Sequence, residues 1–272
     1  SPWLPILFVV ILGVLLAGRP TLKRWMDEIS ELLHSSSTDS FTHTIKTCLY
    51  TVLVAAPVPL VFLFVGWRLV VAARMVPGFT LAAGHALTAA GAYYLAFAVL
   101  STACRPDGLL EDHFRMSHRA VTVLRGHLRW FIPLMIVCAF MLVFTEWLAN
   151  EEWAESLGRV VFIGGMLGTA AFFALVLRPS GPLTTDLLRR HRGGWLEHSR
   201  YFWYGLAVVA PVSLASIAAF GYYYGAQRLA RRLQLTVGLV TGGHFLSHFY
   251  LLVFPPLFPL LRVELGLSNV EL

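Results

Sequence analysis

Long apolar runs separated by short charged segments dominate the sequence. Division of the chain at its Asp, Glu, Lys and Arg residues leaves seven long uncharged runs, at 1–18, 47–67, 75–104, 130–145, 160–177, 201–227 and 233–261. A bilayer core of about 30 Å is crossed by roughly 20 helical residues, which is close to the length of most of these runs. The pattern predicts an all-α, polytopic membrane helix bundle with about seven transmembrane helices.

Composition agrees with a membrane protein. Hydrophobic residues make up 57% of the chain and charged residues 13%, with a mean hydropathy of +0.68, whereas soluble domains are about 25% charged. The net charge of +6 does not indicate nucleic acid here, because the basic residues lie between apolar runs, where they set topology and meet lipid headgroups. We expect membrane lipids as partners and no nucleic acid.

The basic residues are divided unevenly between the two sides of such a bundle. Alternate loops, together with Arg262 after the last run, contain 15 of the 21 Lys and Arg residues, and the remaining loops contain the other six. Because basic loops stay in the cytoplasm, we expect the N-terminus in the periplasm. The acidic segment 151–155 then faces outwards.

Two basic loops contain predicted helices. In 22–33 apolar residues recur at helical spacing, an amphipathic pattern that fits either docking along the headgroups or packing against another part of the chain. A turn at 105–108 precedes the segment 109–128, which mixes apolar and basic residues. We expect this segment to be a helix beneath the membrane that continues upward through Trp130.

Proline and small residues mark special places within the runs. An internal proline removes a helical hydrogen bond, so kinks are expected at Pro57, Pro59, Pro133 and Pro211. Small residues allow helices to approach closely in lipid, although a Gly/Ala-rich helix also suits a pore lining. They are concentrated in 82–84, in 89–92, and at Gly164 and Gly168.

Two groups of Arg and Trp side chains are the candidate functional residues. Each group lies in a basic loop beside the start of an apolar run, where guanidinium groups meet phosphates and indole rings favour the interface. A role in topology alone is the alternative for each arginine. The groups are Arg189, Arg190, Arg192, Trp195 and Arg200 in one loop, and Arg125, Arg129 and Trp130 in another.

Several of these segments carry a family resemblance. The proline-bounded turn 178–182, the basic turn 189–195, the aromatic entry 201–204 and the exit 221–224 resemble the paired sensor helices of MscK (KefA)-type large mechanosensitive channels of the MscS superfamily. The segments 104–108 and 127–130 are similar to that family as well. The resemblance covers about residues 1–240.

The resemblance implies a function. It implies a tension-sensing scaffold in the bacterial inner membrane, without enzymatic activity, whose basic loop contacts anionic headgroups. Channels of this family need a Gly/Ala-rich pore helix and a β-rich cytoplasmic domain, and neither is recognisable in residues 1–272. We expect the segment to lack the pore, and to form a homo-oligomer where it is joined to one.

The C-terminal segment resembles a different family. Residues 241–272 resemble the first transmembrane helix of major facilitator superfamily transporters. The chain is therefore divided into a sensor-like region, 1–240, and a C-terminal helix, 241–272. A transporter fragment or a fused open reading frame is the alternative function. In that case His244 and His248, four residues apart on one helical face, are candidates for the transport path.

The sequence contains no pattern typical of catalysis. The runs hold no nucleophile–base pair, carboxylate pair or phosphate loop. The three cysteines have unrelated spacings that indicate neither a disulfide framework nor a zinc site, and His244 and His248 have no Cys, Asp or Glu beside them. We expect no enzyme activity, no metal and no cofactor.

Overall fold

The computed structural model describes residues 3–35, 41–73, 78–106, 108–112, 114–148, 151–189 and 194–241. In these ranges the chain is helical and has no strand. It divides into two compact units, Ser1–Tyr223 and Tyr224–Leu272. The all-α, multi-span architecture predicted from the hydrophobic pattern is therefore confirmed.

The first unit contains long helices joined by short turns. The long helices are α1 (Trp3–Ser35), α2 (Phe41–Ala55), α3 (Pro57–Ala72), α4 (Phe79–Ala103), α6 (His118–Trp147), α8 (Arg159–Val176) and α11 (Arg200–Ala219). Short helices lie between them: α5 (Leu109–Asp112), α7 (Glu151–Trp153), α9 (Pro182–Arg189) and α10 (Trp195–His198). A π-helix, Ala154–Gly158, joins α7 to α8.

Consecutive long helices run antiparallel, except for α2 and α3, which form one bent pair, and the most extensive packing is between helices that are adjacent in the chain. Ring contacts between α4 and α6 show the direction. Phe79, at the start of α4, meets Phe144 near the end of α6, whereas Phe97, near the end of α4, meets Phe131 on the first half of α6. The same order holds between α6 and α8, where Phe131 stacks on Phe172 at 4.1 Å.

The closest approach is between α3 and α4. A Cβ atom at Gly66 would lie 2.7 Å from the backbone nitrogen of Thr88, and one at Gly84 would lie 2.8 Å from that of Val70. Gly91 meets the backbone of Leu63 in the same way, at 3.0 Å. The small residues of α4 therefore serve close helix packing, as the segments 82–84 and 89–92 predict.

Of the two glycines predicted to form a close-packing face on α8, Gly164 and Gly168, only Gly168 contacts another helix. Gly168 on α8 faces the side chain of Leu134 on α6, whereas a Cβ atom at Gly164 would meet nothing within 4 Å. Gly165, one residue further on, approaches Cys138 instead.

The predicted number of seven spans is not confirmed. Five described helices are long and apolar enough to cross a membrane, and the α2–α3 pair, bent by 57°, makes up to six. The bend lies beside Pro57, one of the expected kinks, because prolines at 57 and 59 cannot donate to the carbonyls at the end of α2. Arg19 on α1 donates from Nε to the Val54 carbonyl at 3.1 Å. By contrast, α6 and α11 each continue as one helix past their internal proline.

The first part of the predicted seventh span, 233–261, belongs to a helix that begins ten residues earlier, at Tyr223. Gly221, with a φ of 99°, follows the end of α11, and residues 223–241 are helical. Arg228, Arg231 and Arg232, expected in a loop, therefore lie within a helix. The rest of the 233–261 run lies outside the described residues.

The two predicted loop helices have different outcomes. The amphipathic segment 22–33 is the second half of α1, and its residues Leu22 and Met26 pack on Val54 of α2. Packing against the chain, one of the two predicted alternatives, buries Leu22, Met26 and Ile29, whereas Trp25 stays exposed. The 109–128 segment is not one helix, because the chain breaks after α5. A new helix, α6, begins at His118, and the hydroxyl of Ser117 caps it by accepting the Ala120 N–H.

The α3–α4 contact yields a stability prediction. We expect Gly66→Ala to destabilise the fold by about 1–3 kcal/mol, since the new methyl group must push α3 and α4 apart. The measurement is the midpoint of thermal unfolding of the purified protein in detergent micelles.

The matched control is Gly164→Ala in α8, where the methyl group meets nothing within 4 Å and alanine favours the helix. This variant should unfold at or above the wild-type midpoint. Equal midpoints for Gly66→Ala and the wild type would contradict the close approach.

Candidate functional site

Polar contacts bring the three basic segments 19–46, 105–129 and 178–200 to one end of the helices. Arg105, which follows α4, forms an ion pair with Asp27 of α1 at 3.1 Å. The backbone N–H of Ser117, before α6, donates to Asp186 of α9 at 2.6 Å. These contacts connect the end of α4, the start of α6 and the connection between α8 and α11. We call this end the basic end.

The turn between α8 and α9 folds as its prolines and glycine predict. The Gly181 N–H donates to the Arg178 carbonyl at 2.7 Å, closing the turn, and Pro182 begins α9. Proline suits a first helical position because that N–H has no partner in the helix. Leu183 then enters the same buried cluster as Phe131 and Phe172, so α9 is held against the ends of α6 and α8.

Asp186 adds an electrostatic anchor to α9. Its carboxylate accepts the N–H of Ser117, the residue that caps α6. A helix N-terminus carries unpaired N–H groups and partial positive charge, so a carboxylate stabilises it. Asp186 therefore connects the α8–α9 turn to a helix of 30 residues.

A surface pocket lies between α9 and α11. Its volume is about 140 Å³, and its lining includes two of the predicted arginines, Arg189 and Arg200. The other lining residues are Pro179, Thr185, Leu188 and Glu197. The structure thus brings together two candidate residues that are eleven positions apart in the sequence.

Both arginines are placed by helix ends. Arg189 is exposed in the last turn of α9, and Arg200 begins α11. The Arg200 guanidinium carbon lies 4.9 Å from the ring centre of Tyr201, and one of its nitrogens lies 3.4 Å from the Tyr201 hydroxyl. A cation over an aromatic ring is attracted by the π electrons. Tyr201 therefore restrains the guanidinium at the pocket.

The second predicted group, on α6, is not a single cluster with the first. Arg125 is half-buried near Cys104, a thiol that is fully buried at the end of α4. The pKa of Cys104 is raised to about 11, chiefly by burial; the nearby charge of Arg125 lowers it and that of Glu111 raises it. The thiol is therefore neutral and unreactive at pH 7.

Arg129 and Trp130 lie further along α6, and both are exposed. The Trp130 indole donates to Nδ1 of His127 at 3.3 Å and meets the ring of Phe172 edge-on at 6.3 Å. This placement, with one face on protein and the rest open, is typical of an interfacial tryptophan.

The remaining candidates cannot be placed. Arg190, Arg192, His244 and His248 lie outside the described residues. Trp195 begins α10, and its side chain is not described. Among the residues that the structure covers, no three His, Cys, Asp or Glu side chains are grouped as metal ligands.

Sequence reasoning missed the residues that connect the helices. Asp186, Ser117 and the Arg105–Asp27 pair were not among the candidates. A signal existed for two of them: Ser117 stands directly before a helical pattern, and Asp186 is one of two acidic residues in the strongly basic segment 178–200. Chemically, the basic end can bind anions, with guanidinium donors supported by buried leucines.

Comparison with known proteins agrees with these features. Residues 2–252 match the family described as mechanosensitive ion channel inner membrane domain 1. The chain is also 25% identical over 233 residues to the miniconductance mechanosensitive channel MscM of Escherichia coli (strain K12). That alignment covers 85% of this chain and 20% of MscM, so the chain spans about a fifth of the length of this curated relative. No solved structure matches the chain.

The family resemblance read from the sequence is thereby confirmed, and the spanning helices fit a multi-pass protein of the inner membrane. Because the family model covers nearly the whole chain, the chain belongs to the MscS family of mechanosensitive channels, as one of its inner-membrane transmembrane domains.

Proposed function

We propose that this segment is the tension-sensing part of a bacterial mechanosensitive channel and has no enzymatic activity. The family match carries the proposal, and the exposure of the spanning helices supports it. In the most apolar windows of α4, α6, α8 and α11 only 22–28% of the residues are buried, and in that of α1 none is. Most of the surface of these helices is therefore available to lipid.

Such a surface can respond to lateral tension. Tension favours whichever arrangement of the helices occupies more membrane area, so it shifts an equilibrium between closed and open states. Helices that pack mainly on their chain neighbours can change area by small displacements at each contact. The basic end would hold anionic headgroups and resist their movement.

We propose that other parts of the complete protein form the pore. The Gly/Ala-rich helix α4 is the described helix whose composition best suits a pore lining, but its glycines face the backbone of α3. On this proposal the segment surrounds a separate pore, and the complete channel is a homo-oligomer. The division into a sensor region, 1–240, and a C-terminal helix, 241–272, stays a prediction.

We also propose that the basic end is cytoplasmic and the N-terminus periplasmic. The support is the excess of basic residues in the three segments that meet at this end. The acidic residues around α7 lie at the opposite end of α6.

The gating proposal predicts currents that depend on suction. We expect the complete gene product, in membrane patches that lack other mechanosensitive channels, to open as negative pressure increases. Expression without any pressure-dependent current would exclude the proposed function.

A variant pair tests the coupling through α9. We expect Asp186→Ala to raise the pressure needed for half-maximal opening, because α9 loses its anchor at the start of α6 and transmits less force. Asp186→Asn keeps a side-chain oxygen that accepts the Ser117 N–H but loses the negative charge, so its pressure threshold should lie between those of the wild type and Asp186→Ala. Identical thresholds for the two variants would contradict this role of the carboxylate oxygen.

The orientation is tested with single cysteines and a membrane-impermeant maleimide. In intact spheroplasts we expect Glu155→Cys to be labelled from the outside, and Arg189→Cys to be labelled only after permeabilisation. Both side chains are exposed, and the unsubstituted protein gives the background from its native thiols. The reverse pattern would place the N-terminus in the cytoplasm.

A further inference from the structure

The pocket between α9 and α11 combines two guanidinium groups with apolar walls. Its two guanidinium groups come from different helices, Arg189 from the end of α9 and Arg200 from the start of α11. Its walls also include the apolar side chains of Pro179 and Leu188. The pocket is therefore a defined concave site, in contrast to a diffuse positive surface.

We propose that this pocket is a discrete binding site for one phosphate group, supplied by a phospholipid headgroup or by free phosphate. The proposal rests on the proposed function only in placing the basic end beside the membrane. Three observations support it: the size of the pocket, the charge of its lining and the fixed positions of its arginine side chains.

The size suits a small polyatomic anion. The half-open pocket of about 140 Å³ has roughly ten times the 10–15 Å³ that one water needs on the same measure of volume. A phosphate group with part of its ester substituent fits such a space. The apolar walls formed by Pro179 and Leu188 suit the carbon atoms of that substituent.

The charge suits an anionic phosphate group. Among the described lining residues two guanidinium groups, those of Arg189 and Arg200, outnumber one carboxylate, that of Glu197. Guanidinium groups bind phosphate oxygens through paired N–H donors.

The pocket is also partly preorganised. Arg200 is held against the Tyr201 ring, and α9 is fixed to α6 through Asp186 and Leu183. Less side-chain and loop entropy is lost on binding when the donors are already placed.

The test measures binding of phosphatidylglycerol to the complete gene product in detergent micelles by native mass spectrometry. We expect one lipid per subunit to bind with an affinity that falls at least roughly tenfold in the double variant Arg189→Gln, Arg200→Gln, which loses charge-assisted hydrogen bonds from both sides. The control Arg178→Gln removes one exposed charge at the same end without altering the pocket lining. Its affinity should stay within about twofold of the wild type.

A second arm identifies the source of the phosphate group. Inorganic phosphate is titrated against the bound lipid, and separately against lipid-free protein. Displacement of the lipid, with binding to the wild type but not to the double variant, shows that the site accepts free phosphate. Lipid that stays bound at every phosphate concentration shows a site for the headgroup.

The proposal is overturned if the double variant binds both ligands as the wild type does, or if Arg178→Gln weakens lipid binding equally. Helix content and the midpoint of thermal unfolding show whether the double variant is folded. If it is not, the single variants Arg189→Gln and Arg200→Gln are compared with the wild type instead. Because binding is measured without tension, absent suction currents with intact binding would sink only the channel function. Normal currents with no binding would remove only the phosphate site.

Discussion

Helices of this chain must associate in a solvent that is as apolar as they are. Lipid tails surround leucine and valine as well as another helix does, so burial of apolar surface contributes little to pairing within the bilayer, and close packing has to supply the attraction. The α3–α4 pair shows how this is achieved, since Gly66, Gly84 and Gly91 let the two backbones come into contact. Dispersion contacts at that distance are many, and they replace the missing hydrophobic drive.

Outside the apolar core the constraint changes, and polar contacts become effective. At the basic end α1 is tied to the α4–α5 turn by Asp27 and Arg105, and α9 is tied to α6 by Asp186. The first contact is partly exposed and weak on its own. The second is stronger, because the carboxylate meets the N-terminus of a long helix and Leu183 is buried beside it. The connections between helices are thus ordered parts of the structure.

These two kinds of contact have separate roles in the proposed function: the packed helices respond to tension, and the basic end binds headgroups. The long helices pack mainly on their chain neighbours, and at most 28% of the residues in their most apolar windows are buried within the described chain; on the proposed function this open surface meets lipid and responds to membrane area. The basic end holds the helix termini and offers guanidinium groups to phosphate. A force applied to headgroups at Arg189 or Arg200 would pass to α6 through α9, because α9 is attached there by both a charge and a buried side chain.

The sequence by itself determined the fold class, the presence of several membrane-spanning helices and the family, but not the number of spans, which it set at seven where the described residues show five or six. Uncharged runs of membrane length and clustered arginines are local features, and the bilayer imposes helix on each run because its backbone has no other hydrogen-bond partner. The glycine and alanine residues of α4 also predicted close helix packing, but they did not identify α3 as the partner helix.

Only the tertiary structure decided how these pieces meet. It showed that 22–33 continues α1 and packs on α2, that 109–128 is broken at Ser117, and that Arg228 lies within a helix. In each case the local pattern fits two structures equally well, since an amphipathic face is satisfied by headgroups or by another helix. It also decided that Arg189 and Arg200 share a pocket, while Arg125 lies apart beside Cys104. Proximity between residues on different helices depends on packing angles and turn geometry, which no spacing along the chain records.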